Sequence, residues 1–152
     1  MPLTYLVTEM EISTEILIHA TPQKIWSILT AFENYPNWNP FITFIEGDIS
    51  TGNKIIARIA PLGTKAMTFK PKILAFEKDR ELRWLGHFLF RGLFDGEHSF
   101  KLADNGNGTT TFSQSEKFKG VLVPIFKFQL ENKTKEGFTA MNLKLKELAE
   151  EL

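Results

Sequence analysis

The sequence predicts an α+β protein: a curved seven-stranded antiparallel sheet wrapped around one long C-terminal helix, with two short helices between strands one and two. Three observations carry this. Strand-like segments follow one another from residue 41 to residue 119, joined by connectors too short for anything but antiparallel neighbours. From about Pro124 the apolar spacing becomes helical and stays so to the C-terminus. After the first strand, capping and turn residues confine two helices to a few turns in all.

Residues 11–19, EISTEILIH, alternate with Ile12, Thr14, Ile16 and Ile18 on one face, which is the first strand. In ATPQKIWSILTAF, Thr21 is a good N-cap, Pro22 takes the first helical position, and Ile25, Ile28 and Leu29 follow at helical spacing. FENYPNWNP (32–40) holds two prolines and three asparagines, so it stops that helix and leaves room for a helical turn near 33–38. The remaining strands are 41–47, 54–61, 66–76, 81–88, 97–103 and 109–119, with turn chemistry at 48–53, 77–80 and 104–108. Pro71 inside the fourth of these seven strands calls for an edge position or a bulge, because proline has no ladder N–H. Phe128, Phe138, Met141, Leu145, Leu148 and Leu152 then mark the inner stripe of a terminal helix roughly 40 Å long. Gly137 weakens that helix locally by about 1 kcal/mol relative to alanine and marks a bend or a close packing contact.

The chain of 152 residues fits one domain, with a core from about residue 11 to 152 and residues 1–10 as an extension. Formal charge is zero, from 18 basic and 18 acidic side chains, so nothing favours a nucleic-acid partner. The absence of cysteine removes disulfides, thiolate nucleophiles and cysteine metal sites, and fits a cytoplasmic protein. MPLTYLVTEM lacks the features of a signal peptide, and no apolar run approaches the ~18 residues of a membrane span, so stable membrane insertion is not expected. Fourteen phenylalanines against two tyrosines make an interior of large apolar area with few polar handles.

A strongly curved sheet around a long helix leaves a cavity between them. Six motifs stand in this order of elements: IHATPQKIWSILTAFENYPNWNPFI (18–42), FKP (69–71), LRWLG (82–86), LFDGEHSFKL (93–102), EKFKG (116–120) and GFTAMNLKLK (137–146). Together they resemble the START-related SRPBCC superfamily, which includes the birch-pollen allergen type, and within it the polyketide cyclase/dehydrase-like branch. The resemblance runs from about residue 11 to the C-terminus and implies a helix-grip fold. It also implies a cavity for a lipid, quinone or polyketide-like molecule, in a superfamily where some members are cyclases or hydrolases.

The strand GEHSFKL (96–102) puts His98 on the apolar face with Phe100 and Leu102. The turn at 104–108 pairs it with TTTFSQSEKFK, whose inward set is Phe112, Gln114, Glu116 and Phe118. Depending on the turn, His98 stands opposite Gln114 or opposite Glu116, with Glu116 a direct or diagonal neighbour. His98 and Glu116 are the candidate catalytic acid/base pair, and the alternative is a hydrogen-bonded pair that stabilises the cavity wall. Strand parity turns His87 away from His98 unless a bulge at Gly86 reverses it, so no metal site is expected. The expected ligand contacts are Trp38, Arg58, Phe69, Trp84, Phe88, His98, Phe100, Phe112, Gln114, Glu116, Phe128 and Met141. For Trp84, Phe128 and Met141 the competing role is core packing. Trp38 competes as a lock for its turn, and Arg58 as a solvated side chain facing outward. The apolar connector HFLFRGLFDG (87–96) is a lid hinged at Gly92 or a fixed plug, with membrane contact a third option.

With no nucleophile, metal set or phosphate cradle, the expected function is binding of a small hydrophobic or amphipathic molecule, without a cofactor. The alternative is a polyketide cyclase or hydrolase in which His98 and Glu116 move protons. The third reading, which rests on the resemblance alone, is a protein-interaction module of the Hsp90-activator type. The sequence leaves the oligomeric state open.

Overall fold

The computed structural model describes residues 8–61 and 65–152. Strand β1 (Glu9–Ile18) leads into helix α1 (Pro22–Leu29), a 3-10 turn (Phe32–Asn34) and the short helix α2 (Tyr35–Trp38). Strands β2 (Ile42–Glu46), β3 (Ile56–Ile59), β4 (Met67–Phe69), β5 (Lys72–Glu77), β6 (Glu81–His87), β7 (Asp95–Asp104) and β8 (Thr110–Lys119) follow. The chain ends in α3 (Val123–Gln129), a π-helical turn (Leu130–Thr134) and α4 (Lys135–Glu150). This is the α+β architecture expected, with the long C-terminal helical run lying against antiparallel strands.

The strand layer is divided differently from the expected single sheet of seven. Five strands pair in the order β1-β8-β7-β6-β5, and three more in the order β2-β3-β4. The expected strand 66–76 breaks at Pro71, between β4 and β5. Proline cannot donate to the ladder there, but its carbonyl still accepts from Ile55 N at 2.9 Å. Gly52 N bonds to Ile73 O at 2.8 Å and Ile73 N to Asn53 O at 2.8 Å, so residues 52–55 stitch the two sheets together beside the break. The proline makes a corner in the layer, and the smaller sheet folds over to become one wall of the interior.

Local chemistry explains the N-terminal helices. The Thr21 side chain accepts from Lys24 N at 3.3 Å and Pro22 opens α1, which buries Ile25, Trp26 and Leu29. Trp26 packs on Phe76 of β5 with ring centroids 5.3 Å apart. Tyr35 is fully buried and donates its hydroxyl to Leu29 O, and burial pushes its phenol well above the usual range. Asn39 Oδ1 accepts from Phe41 N at 3.0 Å and Ile42 N at 2.8 Å, turning the chain into β2 and fixing Phe41 over the interior.

Helix α4 packs on β1 and α1 through Phe138, Met141, Asn142, Leu145 and Ala149. Gly137 is a close-packing glycine: a Cβ there would run into the ring of Phe41. The expected stripe begins one helix too early. The π-helical turn at 130–134 inserts a residue into the repeat and rotates everything before it by about 100°. Phe128 therefore faces outward at 79% exposure instead of joining Phe138 in the core.

Candidate functional site

The site is built on the neighbouring strands β7 and β8. Their register places His98 directly opposite Glu116 and Phe100 opposite Gln114, which resolves the two registers open from the sequence. Both sides of the imidazole are engaged. His98 Nδ1 lies 2.9 Å from Glu116 Oε2, and Nε2 lies 3.0 Å from Gln114 Oε1. Behind Gln114, its Nε2 donates to Asn142 Oδ1 of α4 at 2.8 Å, and Asn142 Nδ2 donates to Thr14 Oγ1 of β1 at 2.9 Å. Thr14 in turn donates to the Gln114 carbonyl at 3.2 Å. A sheet-to-helix chain of hydrogen bonds thus satisfies the buried amides.

Aromatic rings surround His98, which is 1% exposed. Trp84 lies nearly parallel to it at 5.2 Å, as does Phe41 at 6.5 Å, while Phe100 and Phe138 approach at 4.6 and 5.2 Å. Glu116 itself is only partly buried, because its side chain borders a cavity.

That cavity has a volume of about 140 Å³. Its walls are Trp84, His98 and Glu116 from the larger sheet, Ala57, Ile59 and Phe69 from the smaller one, Phe41 from the entry to β2, and Leu130 and Thr134 from the π-helical turn. A second cavity of about 430 Å³ continues outward past shared walls at Met67, Phe69, Phe94 and Leu130. Its outer lining adds Phe88, Phe126, Lys65 and Lys133. Most of the surface in both is apolar side chain, so the chamber can hold a greasy molecule and offer it few polar contacts.

Of the residues expected to contact a ligand, Phe69, Trp84, His98 and Glu116 line the inner chamber, and Phe69 and Phe88 the outer one. Gln114 is buried behind His98. Phe100, Phe112 and Met141 are core residues with no face on either cavity, the two phenylalanines stacked at 6.0 Å. Trp38 packs on Tyr35 at 5.2 Å and locks its turn. Arg58 is exposed, since Ala57 and Ile59 take the inward parity of β3. Phe128 is on the surface.

Sequence reasoning missed Phe41, Gly96 and the wall from β3, whose inward set was readable only once the parity of IIARIA was fixed. Gly96 did carry a signal, as a glycine two residues before His98 on the same face. The β6–β7 register runs without a shift through Gly86, so no bulge reverses His87. His87 Nδ1 instead meets Asp95 Oδ1 at 2.7 Å at the chamber rim. Among the described residues no group of three or more histidine, aspartate or glutamate side chains is placed to hold a metal ion.

The connector 88–94 is tied down more firmly than a free lid. Val121 N bonds to Gly92 O at 3.2 Å and Leu122 N to Leu93 O at 3.1 Å, and Phe94 stacks on Phe118 at 5.4 Å. Leu89 and Phe90 stay exposed at its tip. Among the described residues no helix is long and apolar enough to cross a membrane.

Residues 9–150 match the family described as polyketide cyclase / dehydrase and lipid transport. The chain belongs to this family. Solved structures agree on the fold. A hypothetical protein from Helicobacter pylori superposes with a TM-score of 0.76 at 15% identity, over 96% of this chain and 91% of that one. A START superfamily protein from Mycobacterium smegmatis gives 0.73 at 18% identity, over 92% and 97%. The di-domain ARO/CYC protein BexL of the BE-7585A biosynthetic pathway gives 0.74 at 12% identity, over 99% of this chain and 53% of that one, so the chain spans about half of its length. At these identities the likeness is one of fold. No curated protein matches the chain.

The fold the chain shares with the START superfamily neighbour is the expected one, a long C-terminal helix against antiparallel strands. Chemically, the His98–Glu116 pair can hold and transfer a proton at the chamber wall. Among the described residues lining either cavity there is no serine or tyrosine to act as a nucleophile. Thr134 lines both, and neither histidine of the inner chamber is hydrogen-bonded to it.

Proposed function

We propose that this member of the polyketide cyclase / dehydrase and lipid transport family binds a small hydrophobic or amphipathic molecule in the chamber between the sheets and the C-terminal helices. The observation that carries the reading is the pair of adjoining, largely apolar cavities of about 140 and 430 Å³, the inner of which ends on the His98–Glu116 pair. A molecule entering from the outer cavity would place its apolar body against Phe69, Phe94 and Leu130 and its leading end near Trp84 and Glu116. Native mass spectrometry of protein purified from its source tests this directly. An adduct of a few hundred daltons that is lost when Trp84→Ala and Phe69→Asp are introduced supports it. Protein that carries no adduct and displaces no hydrophobic fluorophore contradicts it.

A second reading, a proton-transferring cyclase, is favoured by one observation: the 2.9 Å contact of His98 with Glu116 lies on the chamber wall, not behind it. Cyclisation of a carbonyl chain needs only proton transfers in an apolar enclosure that excludes water, so the pair is sufficient chemistry for it. Binding that survives His98→Ala while turnover of a bound polyketone chain is lost would favour catalysis. Turnover equal to the wild type in that variant would exclude it.

A further inference from the structure

The hydrogen-bond chain behind His98 has a direction. Thr14 gives its one hydroxyl proton to the Gln114 carbonyl, so its oxygen is left to accept from Asn142 Nδ2. Asn142 Oδ1 then accepts from Gln114 Nε2, which turns Gln114 Oε1 toward the imidazole. Reversing the Gln114 amide would reverse Asn142 as well, and Thr14 would have to surrender its bond to the carbonyl. His98 Nε2 therefore carries a proton. The contact from Nδ1 to Glu116 Oε2 joins a ring nitrogen to a carboxyl oxygen, and it needs a second proton on one atom or the other.

We propose that His98 and Glu116 jointly hold that proton on the line from Nδ1 to Oε2, leaving Glu116 Oε1 as the chamber's fixed hydrogen-bond acceptor for an uncharged ligand bearing a hydroxyl. Thr14, Asn142 and Gln114 are the positioning residues of this device. The inference rests on the ligand-binding reading above and names the class of ligand.

Oε1 is an acceptor in both arrangements of the proton. As imidazolium and carboxylate, the pair leaves it a carboxylate oxygen; as imidazole and carboxylic acid, it is the carbonyl oxygen, because the acid proton sits on Oε2. Among the described residues it has no hydrogen-bond partner, and it lies above Gly96, where a side chain would displace it. No lysine or arginine lines the inner chamber among the described residues. An anionic head there would face Glu116 without a counter-ion of its own, since His98 is already paired. A ketone or ether oxygen brings no proton for Oε1. A phenol or alcohol on an apolar ring or chain satisfies the site.

Calorimetric titration of the full chain with 2-naphthol, naphthalene and 2-naphthoate tests the preference with three probes of similar shape. The expected order is 2-naphthol tighter than naphthalene by about tenfold or more, with 2-naphthoate weakest. In Glu116→Leu the first two should bind within about twofold of each other, because the acceptor is gone. Equal affinity for 2-naphthol and naphthalene in the wild type overturns this inference and leaves the cavity reading standing, whereas no binding of any probe overturns both. Nitrogen-15 NMR of the ligand-free chain reads the proton directly. A bonded proton on His98 Nε2 that is lost in Asn142→Leu and regained in Asn142→Asp supports the device, and an unprotonated Nε2 in the wild type overturns it without recourse to any variant.

Discussion

Gly96 and Glu116 approach so closely across β7 and β8 that the space a Cβ on Gly96 would fill is already occupied by Glu116 Oε1. The two are not register partners: Gly96 pairs with Phe118, and Glu116 pairs with His98. Glu116 leans diagonally along the sheet, over a position of β7 without a side chain, while its other oxygen stays on the imidazole. Glycine at 96 is thus a condition for the geometry of the whole pair.

Gly96→Ala tests that condition. The obstructing atom is the end of a flexible side chain, so Glu116 moves and the sheet stays. The cost should be about 1 kcal/mol, the worth of one weakened hydrogen bond. Urea denaturation should show that small loss together with displaced His98 ring resonances. Ring resonances unchanged from the wild type would contradict the close approach.

Gly137→Ala makes the opposite case. Alanine gains about 1 kcal/mol of helix propensity in α4, but the Cβ meets the Phe41 ring, which is held between His98 and Phe138 and has nowhere to go. Overpacking of this kind costs about 1–3 kcal/mol, so the substitution should give no net gain and up to about 2 kcal/mol of loss. A variant more stable than the wild type in urea would show that Phe41 yields easily, and would weaken the picture of a rigid chamber roof.

Two phenylalanines from the same apolar reading should behave in opposite ways. Phe112 is fully buried and stacked on Phe100, so Phe112→Ala should cost about 3–5 kcal/mol. Phe128 stands outside the π-helical turn, and Phe128→Ala should change stability by less than about 0.5 kcal/mol. Thermal or urea unfolding of the pair checks both, and equal losses would refute the rotation of α3 relative to α4.

The same contrast shows what a sequence can reveal here. His98 was legible because a strand's period of two fixes faces without long-range information, and Glu116 was legible because the short turn at 104–108 ties its strand to the first. Pro71 announced a discontinuity, though not that the layer would divide there. The π-helical turn left no trace in LENKT, which reads as ordinary helix, so the stripe was extrapolated through it to Phe128. Asn142 and Thr14 lie 128 residues apart, and no local pattern joins them. Their bond follows from how α4 sits on β1, which is decided by packing rather than by spacing.

Glu150 offers a pH test remote from the chamber. Its carboxylate accepts from Lys146 Nζ at 2.5 Å and from His19 N at 2.8 Å, fastening the end of α4 to the end of β1. The Lys146 hydrogen bond first, and the His19 backbone bond after it, hold the Glu150 carboxyl below the ordinary glutamate range. A carboxyl lowered in the folded state binds protons less readily there than in the unfolded chain. Its contribution is therefore fully present above the unfolded value of roughly 4.3 and is lost as pH falls through the folded value. Glu150→Gln keeps an acceptor but removes the charge, so its deficit relative to wild type should be constant near neutrality and shrink below about pH 4.3. The deficit should also shrink in high salt, since the pair is open to solvent. Urea denaturation of both proteins at pH 7 and pH 3 reads the difference, and a deficit that grew on acidification would reverse the sign and refute the assignment.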